Sequence, residues 1–319
     1  MLASDSRVRP NEAIWTSSGY LENAREPRMK RPELPAGVAG GAYRCSPPLI
    51  RQSKLTTRRK GGVGKDLSDG WNLNFAVGCT HACPFCYVDA IHKRFGAERY
   101  GDLVLRTWGD YFLVPENLDE AITRTPWRRW AGQEAMMSST HDPYLPVLAS
   151  WARRILETAL PAGVNVCLQT RSFLVTKDFD LLVRYRDQVR LQVSLATMNR
   201  DFARLIEPRV PPPEARIEVL RRAREAGLSI GVILAPIFPP TETRPDVIED
   251  LKALAEAIED LRPEYVYGEA LHLRGQNLGL LEQALGEKVR LTPGFDRGIS
   301  KAFHQELGKS GLMGVWWPG

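Results

Sequence analysis

Three cysteines, Cys79, Cys83 and Cys86, stand in a C-x3-C-x2-C array directly after an apolar run that ends at Gly78. Thiolates are soft ligands, and three of them this close in sequence suit a soft metal centre better than any other use. Three ligands cannot saturate the four irons of a cubane, so a cluster held here keeps one iron open. Two other readings use the same residues. A zinc site would recruit His81, but only Thr80 separates it from Cys79, tighter than the usual ligand spacing. A disulfide framework would leave one of the three thiols odd, and nothing marks the chain as secreted. The spacing favours the cluster.

The elements that must position this array begin at Trp71, where strand and helix patterns start to alternate. Strands are expected at 71–77, 133–139, 164–170, 189–195, 228–234 and 264–271. Helical periodicity is clearest over 246–261, with Val247, Ile248, Leu251, Leu254, Ala255, Ile258 and Leu261 on one stripe. A second helix is expected over 144–157. In Val164–Gln169 and Arg190–Leu195 the aliphatics keep one parity and the polar residues the other. Helices covering one face and a polar cavity on the other give that alternation, whereas a doubly wound sheet reads apolar throughout. The pattern predicts an α/β fold, a partial (β/α)6 barrel of parallel strands over 71–275. Sites in such barrels gather at the C-terminal strand ends, where the cysteine loop follows the first strand.

Residues 1–70, rich in Pro and Gly, read as an irregular N-terminal extension, and 276–319 as a tail packed on the barrel. Arg51, Lys54, Arg58, Arg59 and Lys60 form a basic run in the extension, either a solvated arm or a phosphate-contacting one. Cys45 reads as an incidental thiol. The 319 residues carry 43% hydrophobic and 25% charged residues, ordinary for a globular chain that buries a sizeable core. No apolar stretch is long enough for a membrane span, and the N-terminus lacks the apolar core of a signal peptide. Five cysteines, three of them in a metal array, suit a reducing cytoplasm. A net charge of +5 permits an acidic partner such as nucleic acid without requiring one.

The cysteine array, with Phe85 before its third member, resembles that of the radical S-adenosylmethionine enzymes. The middle of the chain is similar to the spore photoproduct lyase family in particular. Its matching stretches are Ser139–Tyr144, Gln169–Ser172, Val193–Thr197, Ile206–Arg209 and Ile233–Ile237. The resemblance implies a 4Fe–4S cluster on Cys79, Cys83 and Cys86 and S-adenosylmethionine as cosubstrate. Reductive cleavage would then yield a 5′-deoxyadenosyl radical that abstracts hydrogen, with flavodoxin or ferredoxin supplying the electron. By position, Arg171 (where the lyase has lysine) and Ser194 fall at the cofactor, against plain readings as an ion pair and a small lumen filler. Asp142, before Pro143, reads as a helix N-cap.

Two departures from the lyase pattern bear on the reaction. Ser139 stands where the lyase keeps its hydrogen-donating cysteine, and Phe85 replaces one tyrosine of a proposed radical relay, leaving Tyr87. Cys167, lumen-facing by parity, is the candidate substitute donor, against the reading of a small buried residue. At the sixth strand Tyr267 and Glu269 share the inward parity, with His272 and Arg274 beyond; Glu269 is set to handle a proton, bind a cation or pair with Arg274. Trp127-Arg128-Arg129-Trp130 either stacks bases or packs its two indoles under a solvated arginine pair. The function classes are thus a radical enzyme acting on nucleic acid, one tailoring a small molecule or peptide, and a non-catalytic nucleic-acid-binding module with a structural metal.

Overall fold

A computed structural model describes residues 34–53 and 67–317. In chain order the strands are β1 (Ala39–Tyr43), β2 (Ile50–Gln52), β3 (Trp71–Leu73), β4 (Tyr111–Pro115), β5 (Glu134–Met137) and β6 (Asn165–Thr170). They continue with β7 (Val189–Ser194), β8 (Ser229–Ile237), β9 (Tyr265–Ala270) and β10 (Gly314–Trp316). The main sheet runs β10-β9-β8-β7-β6-β5-β3-β2. From β3 to β9 every pairing is parallel; five of the six strands lie within the stretches that the alternation predicts, and β8 runs three residues past its expected end at 234. Each strand passes to the next through helix, as parallel neighbours require.

Inward and outward parity separate into two different cores. Leu73, Ala135, Val166, Leu168, Leu191, Val193, Val232, Leu234 and Val266 face outward into the main cluster with the helices Ala149–Ala159, Pro213–Glu225 and Val247–Glu259. The intervening residues Met136, Cys167, Ile233, Ala235 and Tyr267 form a separate inner cluster with Leu67 and Trp317. An open parallel barrel, packed outside and partly filled inside, results.

Three features differ from expectation. The N-terminal extension is not irregular where it is described: β1 pairs in parallel with β4, and β2 pairs antiparallel with β3. The Ala-Gly-Gly-Ala-Tyr composition of β1 hides it, because it has no β-branched residue. Of the basic run only Arg51 is described, exposed on β2; Lys54, Arg58, Arg59 and Lys60 lie outside the described residues. The first barrel strand stops at Leu73 instead of 77, because Asn74 turns to bond Ser139. The helix expected over 144–157 starts only at Ala149. Pro146 cannot donate a helical hydrogen bond, and Asp142 draws the Tyr144 N–H into a tight turn. The C-terminal segment adds β10 in parallel to β9 and stacks Trp317 on Tyr267 at a ring distance of 4.3 Å.

Candidate functional site

The loop that carries the three cysteines is fixed before it begins. Val77 bridges antiparallel to Leu113, with N···O distances of 3.0 and 2.9 Å in the two directions. Gly78 follows at φ +91°, where a Cβ would stand 2.6 Å from the Tyr111 carbonyl oxygen, so no other residue fits. Tight backbone bonds from Ala82 N–H to the Cys79 carbonyl (3.3 Å) and from Cys86 N–H to the Cys83 carbonyl (3.1 Å) curl the loop. The helix Val88–Phe95 starts immediately after it.

Cys79 and Cys83 are buried and Cys86 is partly so. As thiols they resist ionisation: burial raises Cys79 to about 12 and Cys86 to about 11, and raises Cys83 well above its usual value. Backbone N–H groups work against this, those of Asp142 and His81 on Cys79 and those of Val88 and Asp89 on Cys86. Such donors at sulfur, with the start of a helix at Cys86, suit thiolates bound to a cluster. A single zinc ion fits less well. Both nitrogens of His81 are engaged, Nδ1 at 3.1 Å from the Arg209 carbonyl and Nε2 at 3.1 Å from Asp142 Oδ2. Among the described residues no three His, Cys, Asp or Glu side chains converge as ligands of one ion. A cubane instead takes each thiolate on a separate iron and needs them spread apart.

Asp142 is more than a cap. Its carboxylate accepts from Tyr144 N–H (2.9 Å), Thr170 Oγ1 (2.7 Å), Arg171 N–H (2.6 Å) and His81, tying the loop after β5 to the end of β6 and to the cysteine loop. Burial alone would raise its pKa; the His81 contact and these donors outweigh burial and hold the carboxyl below its usual value.

Beside it, Arg171 pairs through Nε with Glu207 Oε1 at 3.0 Å, a buried partner rather than a surface one. Glu207 is fully buried and also binds the buried Arg216, whose Nη1 donates to the Ser194 carbonyl at 2.7 Å. Ser194 Oγ in turn accepts from Gln169 Nε2 at 3.2 Å. The structure therefore brings Arg171 and Ser194 to one rim of the barrel, linked through Glu207 and Arg216. Neither Asp142 as a hub nor the Glu207–Arg216 pair was expected; the available signal was a charged Arg216 on the buried face of the helix Pro213–Glu225.

Across the rim, Ser139 Oγ accepts from Asn72 Nδ2 (2.8 Å) and Asn74 Nδ2 (3.1 Å). The Tyr87 hydroxyl donates to the Ser139 carbonyl at 2.9 Å. Cys167 sits apart from this group, fully buried in the inner apolar cluster with Met136 and Tyr267. Glu269 pairs with His272 (Nε2–Oε1 3.1 Å) rather than with Arg274. Trp127 and Trp130 are buried while Arg128 and Arg129 are exposed, the packing arrangement and not a stacking platform.

A model of the radical S-adenosylmethionine superfamily matches residues 73–254, more than half of the chain. This protein belongs to the radical S-adenosylmethionine superfamily. Members use a 4Fe–4S cluster and S-adenosylmethionine and need a one-electron reductant. This superfamily member is 59% identical over 280 residues to an uncharacterized protein of Acidianus two-tailed virus, covering 88% of this chain and 93% of the viral one. An uncharacterized protein of Methanocaldococcus jannaschii is 27% identical over 52% of this chain and 60% of its own. Among solved structures, a variant of spore photoproduct lyase superposes with a TM-score of 0.60 at 14% identity, covering 86% of this chain and 80% of that one. SuiB of Streptococcus suis bound to S-adenosylmethionine gives 0.51 at 10% identity, covering 76% of this chain and 48% of that one. These likenesses establish the partial radical S-adenosylmethionine barrel. No helix among the described residues is long and apolar enough to cross a membrane.

The packing under the loop of this radical S-adenosylmethionine protein makes its stability pH-dependent. Burial lowers His92, whose Nδ1 lies 2.9 Å from the Tyr111 hydroxyl, to about 4, and lowers His141 to about 3. Both rings stay neutral in the folded chain and take a proton on unfolding, where histidine titrates near 6.5. Stability is therefore full above about pH 6.5 and falls as the pH drops toward 4. Each histidine should cost about 1.5 kcal/mol between pH 6.5 and 5. Urea titrations of the apo-protein at those two pH values test this, and His92→Gln should remove about half of the slope. A flat profile would reject it.

Proposed function

We propose that this protein is a radical S-adenosylmethionine enzyme, similar to spore photoproduct lyase in architecture, that abstracts hydrogen from a nucleic-acid substrate other than spore photoproduct. One observation carries the reading: Cys79, Cys83 and Cys86 follow the first strand of a six-stranded parallel barrel, at the end where Arg171 and Ser194 also meet. The three thiols hold the cluster, and Arg171 and Ser194 contact the cosubstrate. When bound, the cluster and S-adenosylmethionine supply a 5′-deoxyadenosyl radical. The chain's own residues prepare that site. Glu207 and Arg216 aim the Arg171 side chain and the Ser194 backbone. A flavodoxin- or ferredoxin-type protein supplies the electron, consistent with the modest positive charge.

The substrate assignment rests on Ser139. A radical left on a thymine product needs hydrogen from a weak bond, and a serine O–H is too strong. Two asparagine amides and the Tyr87 hydroxyl hold this residue in place, and Cys167 is buried deeper in the lumen. The nucleic-acid part is supported by the lyase structure that carries a dinucleoside spore photoproduct and by the net charge of +5.

Anaerobic reduced protein should convert S-adenosylmethionine to 5′-deoxyadenosine and methionine. With dinucleoside spore photoproduct it should give little clean repair, and Ser139→Cys should raise the yield, at a cost of about 1 kcal/mol in weakened asparagine contacts. Multiple clean turnovers by wild type would overturn the substrate reading, and their loss in Cys167→Ala would make Cys167 the donor. Absence of 5′-deoxyadenosine in every arm would overturn the enzymatic reading itself.

A further inference from the structure

A buried amide from outside the cysteine loop holds the chain between Cys83 and Cys86. Asn277, 1% exposed, is the first residue of the helix Asn277–Leu285. Its Nδ2 donates to the Phe85 carbonyl at 3.0 Å and to the His272 carbonyl at 2.9 Å, while its Oδ1 accepts from Arg274 N–H at 2.9 Å. The Asn277 N–H returns a bond to the Arg274 carbonyl at 3.2 Å. Both amide hydrogens and the oxygen are thus committed, and a flipped amide would set its oxygen against two carbonyls. The Phe85 carbonyl belongs to the planar peptide that also carries the Cys86 N–H. That N–H donates to the Cys83 carbonyl at 3.1 Å, so the plane is tied at both edges, to Asn277 and to Cys83. Its orientation fixes how the chain enters Cys86, and so where that side chain projects relative to Cys83.

A second contact brings the same two segments together. Gly275 has φ +57°, and a Cβ there would stand 2.8 Å from the Cβ of Ala90, on the helix that begins two residues after Cys86. The Phe85 ring meets Phe238 edge-on at 5.3 Å and shares a buried cluster with Cys83 and with Leu281 of the helix Asn277–Leu285. We propose that Asn277 is a positioning residue, a latch on the Phe85–Cys86 peptide that keeps Cys83 and Cys86 spaced for two irons of one cluster. The same amide ties that spacing to the wall of the barrel mouth, where the His272 ring pairs with Glu269. This role rests on the three-cysteine assignment of the preceding subsection and extends it to a residue 192 positions from Phe85 that is not itself a ligand.

The test is the rate at which anaerobically reconstituted protein loses iron to a ferrous chelator. Iron and sulfide content, the electron paramagnetic resonance of the reduced cluster and hydrogen exchange of the apo-protein are measured in parallel. Asn277→Asp keeps the shape but loses the N–H donors, and sets an oxygen against the Phe85 and His272 carbonyls. Losing two buried hydrogen bonds should speed iron loss about tenfold, and the resonance should broaden. In the apo-form the Cys86 amide should exchange faster while the amides of β7 keep their wild-type rates. Gly275→Ala, which pushes the segment away from Ala90, should also speed iron loss, and adding Ala90→Gly should recover part of it. That pair carries the test if Asn277→Asp does not fold. Unchanged iron loss in Asn277→Asp and Gly275→Ala would overturn the latch while leaving the cluster assignment standing. Faster exchange throughout β7 would overturn it too, by making Asn277 a residue of general stability. Wild type without iron or sulfide would overturn the assignment and the latch with it.

Discussion

Replacing Cys79, Cys83 or Cys86 singly with alanine should abolish stable cluster binding, whereas Cys45→Ala should leave iron and sulfide unchanged. Each thiolate of a three-ligand array holds a separate iron, so losing one leaves two irons without a protein ligand. Nearby groups do not supply a replacement. His81 is committed to Arg209 and Asp142, and Asp89, on the helix that follows the loop, is paired with Lys93 at 3.0 Å. Cys45 lies in a different neighbourhood, its backbone bonded to the Asn117 side chain. Iron and sulfide analysis with absorbance spectra of the four reconstituted variants decides the matter. Equal iron in all four would sink the assignment. Because the apo-loop is pinned by the Val77–Leu113 bridge and the Gly78 turn, the variants should remain folded, and circular dichroism checks that the loss is one of ligation.

The parts of this site that could be read in advance are those fixed by local sequence. The cysteine spacing, the six strands and the inward parity of Gln169 and Ser194 each depend on a few consecutive residues, and the structure reproduces the strands closely. The parts that could not be read depend on long-range pairing. β1 is a glycine- and alanine-rich segment that becomes a strand only because β4 lies beside it, far along the chain. Asp142 looked like a helix cap because an Asp–Pro pair normally is one; its other three partners come from residues 81, 170 and 171. Arg171 is placed at the cofactor by resemblance, with an ion pair as its plain reading, but no local signal names its partner Glu207, itself hidden between two arginines. Buried charges are the hardest case, since a sequence carries no mark of which arginine will lose its water.

That same buried group should give the largest stability effect in the chain: Glu207→Gln is expected to destabilise the fold by about 3–5 kcal/mol. Glu207 and Arg216 are 0% and 1% exposed, so the guanidinium of Arg216 has no water to fall back on when the carboxylate is gone. Burial by itself pushes the Glu207 carboxyl up. The charges and hydrogen bonds of Arg216 and Arg171 outweigh it and hold the group below its usual range. Its contribution is thus present above the unfolded carboxylate value and lost as the pH falls through the folded one. A glutamine keeps the shape and one acceptor but leaves two cations close together without their counter-charge. Arg171 is partly exposed and can swing outward, while Arg216 cannot, so the penalty falls mostly on Arg216 and on its bond to the Ser194 carbonyl. Urea unfolding of apo wild type and Glu207→Gln at pH 7 gives the difference directly. The double variant Glu207→Gln, Arg216→Met removes the stranded charge and should regain a large part of the loss. A Glu207→Gln midpoint within about 0.5 kcal/mol of wild type would mean that the pair is not buried as described. The linkage from Arg171 to Ser194 would then carry no positioning role at the barrel rim.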